Sequence, residues 1–185
     1  MRYKLKKNQS SFPSEVLLQN DIAILEIIGE GLTSIPAEIS KLTYLESLSI
    51  QAPLLETLPK EVFELPNLRI LKIKSCPILK LPNARASKSL EKIQLAQTQL
   101  SEFPKWLCEL DNLSELDLNN NKLTTLPKEF IDLSKLKRLI LDNNNLEELP
   151  APIFNLTTLK HLSIDGNPFS TEEKERITDR LGIWF

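Results

Sequence analysis

The stretch LSELDLNNNKLTTLP, from Leu113 to Pro127, decides the fold. Its leucines fit neither a helical stripe nor a plain strand alternation. Leu116 and Leu118 alternate with Glu115, Asp117 and Asn119, which reads as a short strand with one face buried. Three asparagines then arrive together, and Leu123 and Leu126 point back inward. Pro127 lacks an N–H and ends the extended run. The following KEFIDL reads as a helical turn or 3₁₀ piece that buries Phe130 and Leu133.

The same sentence recurs along the chain. LKRLILDNNNLEELP runs from Leu136 to Pro150, and LEKIQLAQTQLSEFP from Leu90 to Pro104. Units start at Ile22, Leu45, Leu68, Leu90, Leu113, Leu136 and Leu159, spaced by 23 residues except for 22 between Leu68 and Leu90. One unit cannot bury its own leucines, whereas stacked units can, so each coil's stability rests on its neighbours. Stacking makes the strands parallel neighbours, and seven units predict seven strands.

The pattern L-x-x-L-x-L-x-x-N/C-x-L resembles the leucine-rich repeat superfamily, with seven units in register over residues 22–169. TSIPAEISKL, ETLPKEVFEL and TTLPKEFIDL carry the second half of its typical 23-residue class, written LPxEI. That class is seen in bacterial leucine-rich repeat proteins and in Ras-suppressor-type scaffolds. The resemblance implies an α/β solenoid, a right-handed horseshoe with a parallel sheet on its concave side and short helical or 3₁₀ segments on its convex side. It also implies a non-catalytic module that binds a protein on the concave face. Two other roles are compatible with it: the targeting part of a bacterial effector or enzyme system, and a secreted host-interaction or adhesion protein.

One domain over residues 1–185 is expected: an N-terminal cap at 1–21, the repeats at 22–169, and a C-terminal capping helix and tail at 170–185. FPSEVLLQN, opened by Pro13, suits the first cap as a helix. At the other end Ser170 and Glu173 have capping-box spacing. A helix to about Leu181 would lay Ile177 and Leu181 over the last unit, and Gly182 suits its end. Ile183, Trp184 and Phe185 are expected to finish the cover.

Asn121 has a structural task. Where the chain turns out of the strand, backbone groups are left inside, and a buried amide carries both donors and an acceptor for them. The equivalent column reads Glu30, Pro53, Cys76, Thr98, Asn121, Asn144, Asn167. The last five are expected to form a ladder, while Glu30 and Pro53 depart from the pattern and predict less regular N-terminal turns. Asn143, facing outward, is expected to tolerate alanine.

A search for chemistry yields no catalytic constellation. His161 is the only histidine and reads as a solvated surface group, no cysteine pair has zinc spacing, and the four glycines form no phosphate-binding fingerprint. The chain is therefore expected to be no enzyme and to need no cofactor and no metal. A net charge of −2 gives no reason to expect nucleic acid, and no apolar run is long enough to enter a bilayer as a helix. MRYKLKK is basic like the start of a leader, but NQSSFPSE follows where an apolar core should stand, so a cytoplasmic monomer is expected, or a secreted protein whose leader has been removed. Cys76 and Cys108 fall on different sides of a coil and are expected to stay unpaired, which suits a reducing compartment. NQS at Asn8, NLS at Asn112 and NLT at Asn155 match glycosylation acceptors, the last two arising from the repeat template.

Trp106 stands where other units place Glu38, Glu61, Glu129 and Pro152. It is either a binding anchor or a ring folded into room left by the short unit, NARASKS, which brings only Ala84 and Ala86 where others bring larger groups. Packing is the favoured reading.

The variable positions are the outward ones of the strands. They form three columns: Ile24, Ser47, Ile70, Lys92, Glu115, Arg138, His161; then Glu26, Ser49, Lys72, Gln94, Asp117, Ile140, Ser163; then Ile28, Gln51, Lys74, Ala96, Asn119, Asp142, Asp165. The partner site is expected at Lys72, Lys74, Lys92, Gln94, Glu115, Asp117, Asn119, Arg138, Asp142, His161 and Asp165. Its middle is basic and its C-terminal end acidic, which favours a protein partner with complementary zones.

Overall fold

The computed structural model describes residues 1–5, 9–82 and 85–182. Asn8, Ala84 and the tail Ile183, Trp184 and Phe185 lie outside them.

Eight strands form one parallel sheet in sequence order: β1 (Arg2–Lys4), β2 (Ile24–Ile28), β3 (Ser47–Gln51), β4 (Ile70–Lys74), β5 (Lys92–Ala96), β6 (Glu115–Asp117), β7 (Arg138–Ile140) and β8 (His161–Ser163). Each inward leucine or isoleucine of a strand sits beside its equivalent on the next, as in Leu48 with Leu71 and Leu71 with Ile93. Leu48, Leu71, Leu116 and Leu139 are fully buried. The chain returns on the opposite side through 3₁₀ turns, each entered from a proline: Ala37–Lys41, Lys60–Val62, Lys105–Glu109, Lys128–Asp132 and Ala151–Asn155. Proline fixes φ and gives up an N–H that the first turn does not need. Ile39, Val62, Leu107, Phe130 and Ile153 on these turns close the core from behind. The result is a repeat solenoid with one apolar spine between sheet and turns.

The eighth strand is β1, and it changes the reading of the N-terminus. Arg2 pairs with Ile24 and Lys4 with Glu26, and Leu5 donates its N–H to the Glu26 carbonyl. Leu5 and Val16 are buried like their counterparts Ile27 and Ile39. The first residues thus make a coil of their own, closed by a short 3₁₀ turn at Ser14–Leu18 rather than a longer capping helix. Arg2 and Lys4 charge the open edge of the sheet, which discourages further strand pairing.

The C-terminal cap is helix α1, Thr171–Leu181. Ser170 Oγ accepts the Glu173 N–H at 3.1 Å. The Glu173 carboxylate does not return this favour in the manner of a capping box. It accepts the Leu149 N–H of the preceding coil at 2.8 Å and both Nε and Nη2 of Arg176. Ile177 is fully buried, and Gly182 ends the helix at φ 67°, a left-handed position glycine takes without strain.

The unit that starts at Leu68 has no 3₁₀ turn among its described residues. Trp106, from the following unit, is 7% exposed and meets Phe63, from the preceding unit, edge to face at a centroid distance of 5.0 Å. A large ring thus bridges over the thin coil. Ser87, in the thin coil itself, donates its N–H to the Phe63 carbonyl.

The turns out of the strands fall into two kinds. From the third repeat onward a residue at positive φ precedes each inward turn position: Ser75 before Cys76, Gln97 before Thr98, Asn120 before Asn121, Asn143 before Asn144, and Gly166 before the half-buried Asn167. In the first two repeats the buried turn positions are Gly29 and Ala52, while Glu30 and Pro53 are exposed. The column is shifted there by one residue because these turns lack the left-handed step. A side chain at Gly29 would place its Cβ 2.8 Å from the Leu32 Cβ, so the first of these turns is packed too closely for one, whereas the second accommodates the methyl of Ala52.

Candidate functional site

The asparagine column ties coil to coil. Asn121 Oδ1 accepts the N–H groups of Thr98 and Leu100, both at 3.1 Å, and the Thr98 hydroxyl at 3.0 Å. Its Nδ2 donates backwards to the Leu95 carbonyl and to Leu118 in its own coil. Asn144 repeats this with Leu123 N–H, Leu118 and Leu141, and Asn167 with Leu146 N–H, Leu141 and Ile164. Each amide spans two coils, since its length and its two-donor, one-acceptor head suit that reach. Cys76 Sγ lies 3.3 Å from the Lys74 carbonyl in its own coil and also meets the backbone of Ala52 in the coil before it.

In front of this ladder lies the outward face of the sheet. Lys92, Glu115, Arg138 and His161 stand in one register column, and Lys72, Gln94 and Asp117 in the next. The third column runs from Ile28 through Gln51 and Lys74 and stops at Ala96, which is buried. Beyond it Asn119 folds back, donating both its N–H and its Nδ2 to Asp117 Oδ1. Asp142 is bracketed by the Ser163 hydroxyl and the Asp165 N–H. Asp165 itself is exposed, as are Lys72, Lys74, Arg138 and His161.

The centre of the face holds two rungs between neighbouring strands. Lys92 Nζ sits 2.6 Å from Glu115 Oε1, and Gln94 Nε2 donates to Asp117. Around them is a shallow depression of about 260 Å³, with Ile70 and Ile140 as half-buried walls and Lys72 and Arg138 at its rim. These apolar walls are easily missed in the sequence, because they sit at outward positions and fall on strands three units apart. Ile24 is 40% exposed, since β1 lies beside it without covering it.

Flanking the face, Arg69 holds Glu91 through two bonds at 2.9 and 3.0 Å, and Lys88 holds Asp111 at 2.7 Å. Hydrogen bonding from Arg69 and from Lys88 lowers the pKa of these two carboxyls. Asn112, one of the glycosylation-type asparagines, is engaged by the Lys88 carbonyl and by Lys135 Nζ, whereas Asn155 is exposed. Both cysteines are free and buried. Burial raises the pKa of the Cys76 thiol, and burial followed by the charges of Asp132, Glu129 and Glu109 pushes that of Cys108 up to about 12. Among the described residues no group of His, Cys, Asp and Glu side chains is placed to hold a metal ion, and no helix is long and apolar enough to cross a membrane.

Known proteins place this geometry. A search of curated protein sequences gives no match. Among solved structures, a Leptospira interrogans leucine-rich repeat protein is 28% identical, covering 95% of this chain and 57% of its own, with a TM-score of 0.59. The leucine-rich repeat domain of the type III effector XopL is 25% identical over 84% of this chain and 64% of its own, at 0.72. Internalin C2 from Listeria monocytogenes is 26% identical over 75% and 59%, at 0.64. The chain therefore spans less than two thirds of the length of each of these relatives. The fold is that of a protein–protein interaction module. The family description "leucine-rich repeat region" matches residues 68–182, well over half of the sequence, and the chain belongs to the leucine-rich repeat family.

Proposed function

We propose that this chain is a non-catalytic module that holds a protein partner on the outward face of its sheet, centred on Lys72, Lys74, Lys92, Gln94 and Asp117. One observation carries the reading. Inward strand positions repeat leucine or isoleucine, while outward ones change chemistry from strand to strand around an open depression. Stacking requires the first pattern and is indifferent to the second, so the outward residues are available for recognition. Solenoids of this kind offer their sheet as an extended binding surface.

The experiment is a capture comparison in extracts of the source cell. Lys72→Glu with Lys74→Glu reverses charge on the sheet face, and Lys60→Glu with Lys128→Glu does so on the turn side. All four lysines are exposed, so both double variants should melt within a few degrees of the parent. Loss of the captured partner in the sheet-face variant alone supports the reading. Loss in the turn-side variant alone moves the site to the outer surface.

The likeness to the XopL effector domain and to internalin C2 favours a second reading, in which this array is the recognition part of a larger bacterial effector or surface system. Expression of the tagged protein followed by fractionation into cytoplasm and medium separates the two. The buried free thiols fit the cytoplasmic outcome.

A further inference from the structure

Nearly every carboxylate on the sheet face is already occupied. Glu26 receives Arg2, with Lys4 at 3.9 Å. Glu115 receives Lys92, Asp117 receives Gln94 and Asn119, and Asp142 receives Ser163 and the Asp165 N–H. The cations are in a different position. Lys72 and Lys74 on β4 and Arg138 on β7 are exposed, and none of the three has an acceptor among the described residues. A face that looks half basic and half acidic by composition is thus, in its free hydrogen-bonding capacity, largely a donor surface.

Resting on the sheet-face reading above, we infer that the partner presents an extended acidic segment, with carboxylates about four residues apart that engage Lys72 and Lys74 at one end and Arg138 at the other. The spacing follows from sheet geometry. Three strand intervals, roughly 14 Å, separate β4 from β7, and Arg138 falls in the register column of Ile70, two residues short of Lys72, so the diagonal from Lys72 to Arg138 is about 16 Å. An extended chain crossing the strands repeats side chains on one face every ~6.6 Å, so residues four apart span about 13 Å, and the long side chains of Lys72 and Arg138 take up the remainder. Between the two anchors lie the closed Lys92–Glu115 and Gln94–Asp117 rungs, which offer no free charge. The half-buried Ile70 and Ile140 there suit an aliphatic side chain between the two acids. Arg138 presents a planar fork that takes a carboxylate through two bonds, while Lys72 and Lys74 act as two point charges on one strand. A nucleic acid is the poorer occupant. It needs a continuous basic track, and here the cations are separated by paired carboxylates on a chain of net charge −2.

The test selects random dodecapeptides displayed on phage against the immobilised full chain. The expected pool is enriched in pairs of Asp or Glu three to five residues apart. A selected peptide, made synthetically and labelled, should lose affinity about tenfold or more on Lys72→Glu with Lys74→Glu, and similarly on Arg138→Glu. Lys72→Arg with Lys74→Arg should restore it, which a merely structural role of these lysines would not predict. Circular dichroism and melting confirm that each variant is folded. Neutral or basic winners that still need Lys72 and Lys74 overturn the acidic segment and leave the sheet-face site standing. Winners lost only on Lys60→Glu with Lys128→Glu overturn both. An empty selection, or binding of a single-stranded oligonucleotide in preference to the acidic peptide, also overturns the inference.

Discussion

Asn144 Oδ1 accepts the backbone N–H of Leu123, a residue of the preceding coil, at 3.1 Å, while its Nδ2 gives to Leu118 and Leu141. Asn144 is 4% exposed, so in the native fold the groups it satisfies are shielded from bulk water. Asn144→Ala should therefore cost about 1–3 kcal/mol by stranding a buried donor. Its neighbour Asn143 is exposed, which in the sequence suggests that alanine is harmless there. It stands, however, at φ 54°, where a Cβ-bearing residue costs about 1–2 kcal/mol unless it is an asparagine or aspartate. Asn143→Gly is the proper neutral control, because glycine takes that conformation freely. Urea denaturation of the three variants checks the set, and an Asn144→Ala midpoint equal to the parent's would remove the ladder from the stability argument.

The Phe63–Trp106 contact carries stability across the thin coil. Trp106→Ala should cost about 3–5 kcal/mol, as for other buried large rings. A double-mutant cycle with Phe63→Leu should give a coupling of about 0.5–1.5 kcal/mol, the range for edge-to-face pairs. Additive losses would mean that the two rings fill space independently.

Much of this architecture is legible from residues 22–169, because burial forces leucine to return at each unit. Three features are not. Tyr3 and Leu5 lie among basic residues, without the leucine spacing that marks the other coils, so β1 shows only through its pairing with β2. The shift of the turn column to Gly29 and Ala52 leaves the 23-residue count intact. Leu32 and Ser34 are two apart, as are Leu55 and Thr57, but Leu79 and Lys80 are adjacent, so a residue gained in the third turn is lost just after it. The third hidden feature is which charges on the sheet face are spent. That depends on side chains meeting between strands, as Gln94 meets Asp117, and residue identity alone leaves it open.

Cys76 and Cys108 should be silent in the folded protein. Burial raises both pKa values, that of Cys108 to about 12, so at pH near 8 each stays a protonated, sheltered thiol rather than a nucleophilic thiolate. An aromatic disulfide reagent should find no fast-reacting thiol in the native chain and two after denaturation. A fast native thiol would mean that the coil carrying it opens readily.

Glu173 gives the sharpest test of how the array ends. Its Oε1 takes the Leu149 N–H at 2.8 Å, and Arg176, held by the same carboxylate, donates to the Leu149 carbonyl and lies 4.9 Å from the Phe154 ring centre. One side chain thus bolts α1 to the coil behind it. Glu173→Ala should cost about 1.5–3 kcal/mol, since a buried N–H loses a charged acceptor and Arg176 its partner. Repeat arrays transmit such damage only to neighbours, so the loss should be local. Hydrogen exchange should quicken about tenfold or more in β8 and in the Ala151–Asn155 turn, with β2 to β4 unchanged. Glu172→Ala, exposed in the same first turn, is the matched control and should move stability by only a few tenths of a kcal/mol through the helix dipole. Faster exchange spread evenly from β2 to β8 would show that the chain unfolds as a single unit, and that the cap guards the whole array rather than its last coils.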